Sequence, residues 1–362
     1  MKLVSPLLKR VVYPCLSQAG FLQRPSTGRA LSVVTYHGVR PASYRSLDPE
    51  LDGCLVPAGA FRRQLRFFKT NYNVIHPVQF HNWLNGSVEL PARALLLTCD
   101  DGLLNNLTDM LPVLTQEELS CLFFVGGQSL WPGRETLWHE QLYLMMLLSG
   151  DSAAIAQLTS LVGPQLGNNI SRRSLWWSLV RSWSRFSAER RSEFLEVTRI
   201  RLALPDTWIA DFFADSANQR RFGLLTQSEL LALAAAGMEI GSHATSHPIL
   251  SQMPNDIAAD EITSSRLDLK RTLQKEVWAF AYPFGDPGSV GLREVELAER
   301  AGYRCAFLNC ETSPTDSRFA LPRLHITADI SLAEIAAHLS GFHESIRRFA
   351  RLERASSVGG RV

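Results

Sequence analysis

The 362-residue chain has no CxxC pair among its six cysteines, no long apolar run and no excess of charge. Each absence excludes a class of protein. Cys15, Cys54, Cys99, Cys121, Cys305 and Cys310 are irregularly spaced, and most sit in apolar stretches such as Ser120-Cys121-Leu122-Phe123-Phe124. That argues against a disulfide framework or a zinc-thiolate site and for buried, reduced thiols. No segment reaches the roughly 18 apolar residues of a membrane span; Leu142–Leu148 is among the longest runs and falls far short. With 37 Lys+Arg against 35 Asp+Glu, the chain lacks the concentrated basic surplus of a nucleic-acid binder, and no such partner is expected. At 46% hydrophobic it is too apolar for disorder, and its length suits one large domain or two.

The N-terminus does not read as a signal peptide, because Pro6 and Lys9-Arg10 interrupt its apolar run. Leu3, Val4, Leu7, Leu8, Val11 and Val12 instead follow the spacing of an amphipathic helix. Residues 1–30 are therefore expected to form an amphipathic segment packed on the protein's own body, with membrane-surface association as the alternative. The expected location is cytoplasmic or peripheral to the membrane. Residues 346–362 read as a basic, flexible tail.

Between these ends, strand-like and helical runs alternate. Strands are expected at Ser32–Tyr36, Tyr72–His76, Ala94–Thr98, Ser120–Val125, Met238–Gly241, Val277–Ala281, Arg304–Leu308 and Arg323–Thr327. Helices are expected at Pro57–Lys69, Leu104–Glu118, Gln227–Ala236, Asn255–Gln274, Val290–Ala301 and Leu332–His343, two of them stopped by Gly237 and Gly302. Such alternation implies parallel strands with helices outside, and seven or eight units predict a distorted α/β barrel over residues 31–345. The alternation fails at about 131–222, which reads as a helical insertion; Ser187–Arg201 has Phe194, Val197 and Ile200 on one side. Six of the eight tryptophans lie there, which suits a core for the insertion first and sugar stacking second.

Four strand ends carry chemistry. Thr98-Cys99-Asp100-Asp101-Gly102 runs a buried-type strand into two adjacent carboxylates. Alone, such a sequence reads as a turn with a helix cap; facing one cavity, the two carboxylates can divide cation binding from proton transfer. Ile240-Gly241-Ser242-His243-Ala244-Thr245-Ser246-His247 follows another strand with two histidines four apart, which either share a metal or stand exposed near a helix start. Phe280-Ala281-Tyr282-Pro283-Phe284-Gly285 ends a third strand in a tight turn whose amides can serve an oxyanion. Tyr36-His37 ends the first strand, and its histidine is either a structural hydrogen-bonder or a general acid. In a barrel all four emerge on the C-terminal face, where such folds carry their sites.

The set TCDDG, HATSH and AYPFG, in that order after successive strands, resembles the polysaccharide deacetylases, carbohydrate esterase family 4 with its NodB homology domain. The likeness covers roughly Leu31–Ser129 and Gly223–Ile330. It implies a distorted (β/α) barrel and metal-dependent removal of acetyl groups, N-acetyl ahead of O-acetyl, from an acetylated polysaccharide or oligosaccharide. By position it implies Asp100 as general base and Asp101, His243 and His247 as ligands of a divalent metal, zinc first. It further implies that the turn Tyr282, Pro283, Phe284, Gly285 lines the acetyl pocket and supplies an oxyanion amide. It implies too that the metal would lower the pKa of a water attacking the acyl carbon, and that a histidine would protonate the leaving amine or alcohol.

Three positions depart from the family. Cys99 stands where the family usually has phenylalanine, a modest change at a position expected to be buried. Ala281 stands where an arginine commonly orients the catalytic aspartate, and Arg323 is the candidate to supply that guanidinium from a neighbouring strand. The late Leu-His motif that carries the acid is matched by Leu324-His325, yet Tyr36-His37 resembles members with a permuted order; His37 is favoured as the acid over His325. Two rival readings keep part of this picture: a hydrolase of a non-sugar amide using the same metal site, and a glycan-binding protein that has lost catalysis.

Overall fold

The structure is a computed structural model that describes residues 6–23, 31–133, 135–150, 155, 157–158 and 171–346. Its strands are β1 (Leu31–Tyr36), β2 (Val39–Arg40), β3 (Val56–Pro57), β4 (Asn73–Ile75), β5 (Ala94–Cys99), β6 (Leu122–Val125), β7 (Glu239–Ser242), β8 (Ala279–Ala281), β9 (Cys305–Phe307) and β10 (Leu324–His325). All but β2 and β3 form one parallel sheet in the order β10-β1-β5-β6-β7-β8-β9, with β4 beside the first half of β5. The long register from Leu31↔Ala94 to Tyr36↔Cys99 brings the ends of β1 and β5 to the same level. Leu321 and Arg323 donate backbone hydrogen bonds to Ala306 and Cys310 at 2.9 Å, while Leu324 and His325 pair with Val34 and Thr35. The segment 321–325 thus joins the two edges of the curled sheet, and the expected barrel is formed.

Period-two alternation sorts each strand's side chains between two cores. Val33, Leu96, Leu122, Phe124, Ala279, Ala281, Cys305 and Phe307 share the interior cluster. Leu95, Leu97, Cys99, Phe123, Val125 and Phe280 pack outward with Phe61, Leu65 and Phe68 of the helix Ala58–Asn71 and with Ile262 and Leu269 of Asn255–Leu273. Burial on both faces explains why the strands read as continuous apolar runs. The six expected helices are present, the second as a π-helical turn Asn106–Met110 running into Leu111–Gln116. Gly237 and Gly302, both at φ 85°, follow helix ends as their sequence positions suggest. The β2–β3 pair and the helix Pro77–Leu84 were not legible as elements; the helix starts on Pro77 with His76 as its cap.

Between β6 and β7 lie the helices Trp138–Leu148, Arg172–Trp183, Ala188–Arg201, Trp208–Phe213 and Ser216–Phe222. Trp138, Trp176, Trp183 and Trp208 are buried in their shared core, and Trp177 packs against it partly buried. The apolar side of Ala188–Arg201 is not its buried side. Val197 and Ile200 are 40% and 61% exposed, whereas Arg191, Leu195 and Thr198 are buried. A polar anchor sets the rotation: Arg191 hydrogen-bonds Ser246 and lies over the Trp138 ring at 5.2 Å. Phe194 keeps an apolar contact by stacking on Trp183.

At the N-terminus a π-helical turn, Leu8–Val12, leads into the helix Tyr13–Gln18. Tyr13 and Leu22 are buried against Ala336 and Ala337, with Leu8 and Leu16 partly buried beside them, while Leu7 and Val11 face solvent. Leu3, Val4 and the expected tail beyond residue 346 lie outside the described residues. All six cysteines are free; Cys99, Cys121 and Cys305 are buried, Cys54 and Cys310 partly so, and Cys15 is exposed. Among the described residues no helix is long and apolar enough to cross a membrane.

Candidate active site

The loops after β1, β5, β7 and β8 meet at one end of the barrel, and the chain is bent sharply to make them meet. Asp101, Ala244, His247 and Phe284 adopt positive φ of 77°, 60°, 55° and 62°, a region that L-residues other than glycine enter at a cost of roughly 1–2 kcal/mol. Half of the non-glycine residues with positive φ among those described therefore lie in these three short loops. Gly102, at φ 65°, continues the bend beside Asp101, and a Cβ there would meet Val125 Cγ1 at 2.9 Å, so a side chain is excluded.

The two adjacent aspartates face different partners. Asp100 is 1% exposed and accepts a bidentate fork from Arg323, Nη1 to Oδ1 at 2.7 Å and Nη2 to Oδ2 at 2.5 Å. Arg323 is itself held by Leu308 O (2.7 Å from Nε) and Thr98 Oγ1 (3.1 Å from Nη1), and it lies over the rings of Phe124 and Phe307. Burial works against the charge on Asp100, but the guanidinium outweighs it and keeps the carboxyl below its ordinary pKa. The guanidinium against Asp100 is thus that of Arg323, while position 281 holds alanine.

Asp101 turns the other way. Its Oδ1 lies 3.2 Å from His247 Nε2 and 3.5 Å from His243 Nε2, and one ligand atom from each of the three residues falls within 4.8 Å of the others. Burial opposes the Asp101 charge here too, yet nearby His37 and the imidazoles of His243 and His247 against it hold its pKa well below normal. His243 Nδ1 pairs with Ala281 O at 2.8 Å, which assigns its proton to Nδ1 and points the Nε2 lone pair at Asp101. Two imidazoles and a carboxylate, with an outer carbonyl fixing one tautomer, suit a divalent cation. The residues present therefore fit the metal that the sequence motifs imply.

In the turn after β8, the Tyr282 amide donates to Phe307 O and the Gly285 amide to Pro283 O, while Pro283 has no N–H. Phe284 N–H has no backbone acceptor in this turn, and it belongs to the residue whose backbone is left-handed. Tyr282 departs from its expected pocket-lining position: its ring is fully buried and its hydroxyl donates to Phe319 O at 2.8 Å, so it braces the turn from behind. The Phe284 ring stands 4.9 Å from that of His247.

His37 and His325 come together, their ring centroids 4.4 Å apart. His37 Nδ1 and His325 Nε2 are both buried without a hydrogen-bond partner. Burial, reinforced by His37 alongside, pushes the His325 pKa down to about 3, so His325 is a neutral imidazole near pH 7.

Sequence reasoning missed the insertion's part in this site. His139 opens the helix Trp138–Leu148, is 9% exposed, and sets its ring 4.8 Å from His247 and 5.2 Å from Phe284. Its Nδ1 has no partner, and burial, with His247 beside it, holds its pKa well below normal. Trp138 Nε1 donates to His247 O at 2.9 Å, and Ser184 Oγ accepts from the Ile249 amide at 3.1 Å. Glu261 accepts from the amides of Thr245 and Ser246 at 2.9 and 2.8 Å. No spacing pattern links these residues to the histidine loop, so nothing in the sequence singles them out.

Residues 207–306, which span both histidines and the turn after β8, match the family model described as polysaccharide deacetylase. No curated protein matches the chain in sequence. Among solved structures, a deacetylase from Streptococcus pyogenes in complex with acetate, PplD, superposes with a TM-score of 0.52 at 17% identity, covering 86% of this chain and 99% of that one. IcaB from Ammonifex degensii gives 0.51 at 18% identity, covering 88% and 100%. A de-N-acetylase from Aggregatibacter actinomycetemcomitans gives 0.51 at 14% identity, covering 85% and 99%. These likenesses establish the fold. The resemblance read from the three strand-end motifs is therefore met, by a polysaccharide deacetylase match through residues 207–306 and by a barrel fold shared with these structures.

Proposed function

We propose that the chain is a divalent-metal-dependent hydrolase that removes acetyl groups from an acetylated polysaccharide or oligosaccharide, N-acetyl ahead of O-acetyl. The family match and the fold support deacetylation of a sugar polymer. The finer reading rests on one observation above all: neighbouring aspartates held by opposite partners, Asp100 by a guanidinium and Asp101 by two imidazoles.

In this reading Asp101, His243 and His247 hold the cation, zinc first. A divalent ion there supplies Lewis acidity at the acyl carbonyl and lowers the pKa of water toward neutrality. Asp100 takes the proton from the attacking water, and Arg323 keeps it ionised and aimed. Phe284 N–H donates to the oxygen as negative charge develops on it. His37 returns a proton to the leaving amine or alcohol; the depressed pKa of its neighbour His325 supports that choice, because a neutral imidazole has no proton to spare at Nε2 or Nδ1 without becoming an anion. With alanine at position 281, the Arg323 fork on Asp100 supports a catalytic reading over the glycan-binding alternative.

Acetate release from a panel of acetylated glycans, with small acetamides alongside and chelator added or withheld, tests the proposal. The expected result is release from a glycan that stops on chelation. Release from acetamides alone would transfer the function to non-sugar amides, and no release from any substrate by metal-loaded protein would remove the catalytic reading.

A further inference from the structure

A second cluster of histidine and carboxylate lies outside the barrel, where the helix Leu332–Leu339 passes the segment after β9. Glu311 Oε2 pairs with His338 Nδ1 at 2.6 Å, and the rings of His338 and His343 stack with centroids 4.0 Å apart and planes 28° apart. One ligand atom from each of Glu311, His338 and His343 lies within 4.8 Å of the other two. His343 is 5% exposed, and the His338 side chain is nearly as withdrawn from water. Glu334 brings a further carboxylate, its Oε1 3.9 Å from His338 Nε2 and 2.6 Å from Lys9 Nζ. A cavity of about 260 Å³, lined by Leu31, Trp83 and Leu324 among others, opens beside Glu311 and His338 and gives a small ion a way in.

We propose that Glu311, His338 and His343 form a second divalent-cation site of the imidazole-preferring class that includes zinc. Two imidazoles and a carboxylate gathered this closely make a ligand set of the same composition as Asp101, His243 and His247. The surroundings match an outer shell. Tyr13, from the N-terminal helix, hydrogen-bonds His343 Nδ1 at 2.7 Å, which fixes that ring. The ion would thereby tie three separate pieces of chain: the segment after β9, the last barrel helix, and, through Tyr13, the N-terminal segment packed on it.

The site is independent of the catalytic assignment, and metal alone tests it. Full-length protein is stripped with chelator, reloaded with zinc, desalted and analysed for zinc per chain. Wild type should hold two ions. The Asp101→Asn, His243→Ala, His247→Ala variant should keep one and should melt at higher temperature with zinc than without. Adding His338→Gln and His343→Gln to that variant should abolish both the retained ion and the zinc-dependent shift. Tyr13→Phe, which removes only the outer partner, should weaken zinc binding about 10–100-fold. An ion count in wild type that falls to zero in the Asp101→Asn, His243→Ala, His247→Ala variant, or a retained ion that survives His338→Gln and His343→Gln, overturns the proposal. If the combined variant fails to fold, Glu311→Gln, changing one partly exposed side chain, decides by the same count: an undiminished second ion with unchanged affinity overturns it.

Discussion

The barrel and the helical insertion both reach the histidine loop, but by different physics. The barrel delivers chemistry from strand ends. Once Leu96 faces inward on β5, period-two alternation carries Thr98 and Asp100 inward as well, and the same rule brings Arg323 and His325 to one face. The insertion delivers support from helix faces. Trp138 grips the His247 carbonyl, Arg191 grips Ser246, and Ser184 takes the Ile249 amide. A loop that holds Ala244 and His247 in left-handed conformations needs such external clamps, since the backbone alone would relax out of them. Reacting groups and the groups that hold them thus come from different parts of the chain.

This division can be broken at either side. The largest effect is expected in the barrel, from Arg323→Gln. It leaves a fully buried Asp100 without its cation, and breaking a buried pair in this way typically costs about 3–5 kcal/mol. The pH dependence should invert. In wild type the depressed Asp100 pKa adds stability above the ordinary carboxylate range that is lost as pH falls through the folded value. Without Arg323, burial is opposed only by His243 and His37, the pKa rises, and this group's contribution is lost as pH rises instead. Denaturant melts across pH 4–8 read the inversion, and the acidic limb of the rate profile should move to higher pH with metal content unchanged.

A comparable loss is expected where insertion and barrel are riveted together. Arg221 is buried between Asp52 and Glu140, with 2.8 Å contacts to both. Arg221→Met strands two carboxylates and should lower stability by about 3–5 kcal/mol. Denaturant unfolding checks it; a change under about 1 kcal/mol would mean the insertion is held mainly by its apolar core.

His37→Ala should retain metal and fold but lose roughly 10²-fold in turnover on amides, along with the alkaline limb of its profile. The defect should shrink on an aryl acetate, whose leaving group needs no proton. His325→Ala should lack that leaving-group dependence. If the two variants exchange behaviours, the acid is His325.

The smallest effect belongs to the insertion's clamp. Trp138→Phe removes the Nε1 bond to His247 O while keeping the aromatic packing, and should cost about 0.5–1.5 kcal/mol. Zinc affinity should fall with it. An unchanged affinity would show that the loop holds its geometry unaided.

The same contrast explains what was legible in the sequence. The strands were readable because parallel strands covered on both faces are apolar throughout, as β5 and β6 are. The site residues were readable because each stands within a few positions of a strand end, so one-dimensional spacing reports three-dimensional position. Arg323 could be nominated because Asp100 required a partner and position 281 held alanine. His139 could not: its place beside His247 depends on how the helix Trp138–Leu148 docks, and docking follows from contacts far apart in sequence. That the apolar side of Ala188–Arg201 is not its buried side has the same cause. An amphipathic count assumes that apolar residues face in, and here Arg191 does because Ser246 and Glu261 await it.

The central claim is that two adjacent aspartates at one strand end divide the work. Metal content and acetate release, measured side by side on Asp100→Asn and Asp101→Asn, test it most directly. Asp100→Asn should keep the ion at the Asp101, His243, His247 site and lose about 10²–10⁴-fold in turnover, whereas Asp101→Asn should lose the ion itself. Equal metal content in the two variants, or turnover in Asp100→Asn close to wild type, would contradict the account.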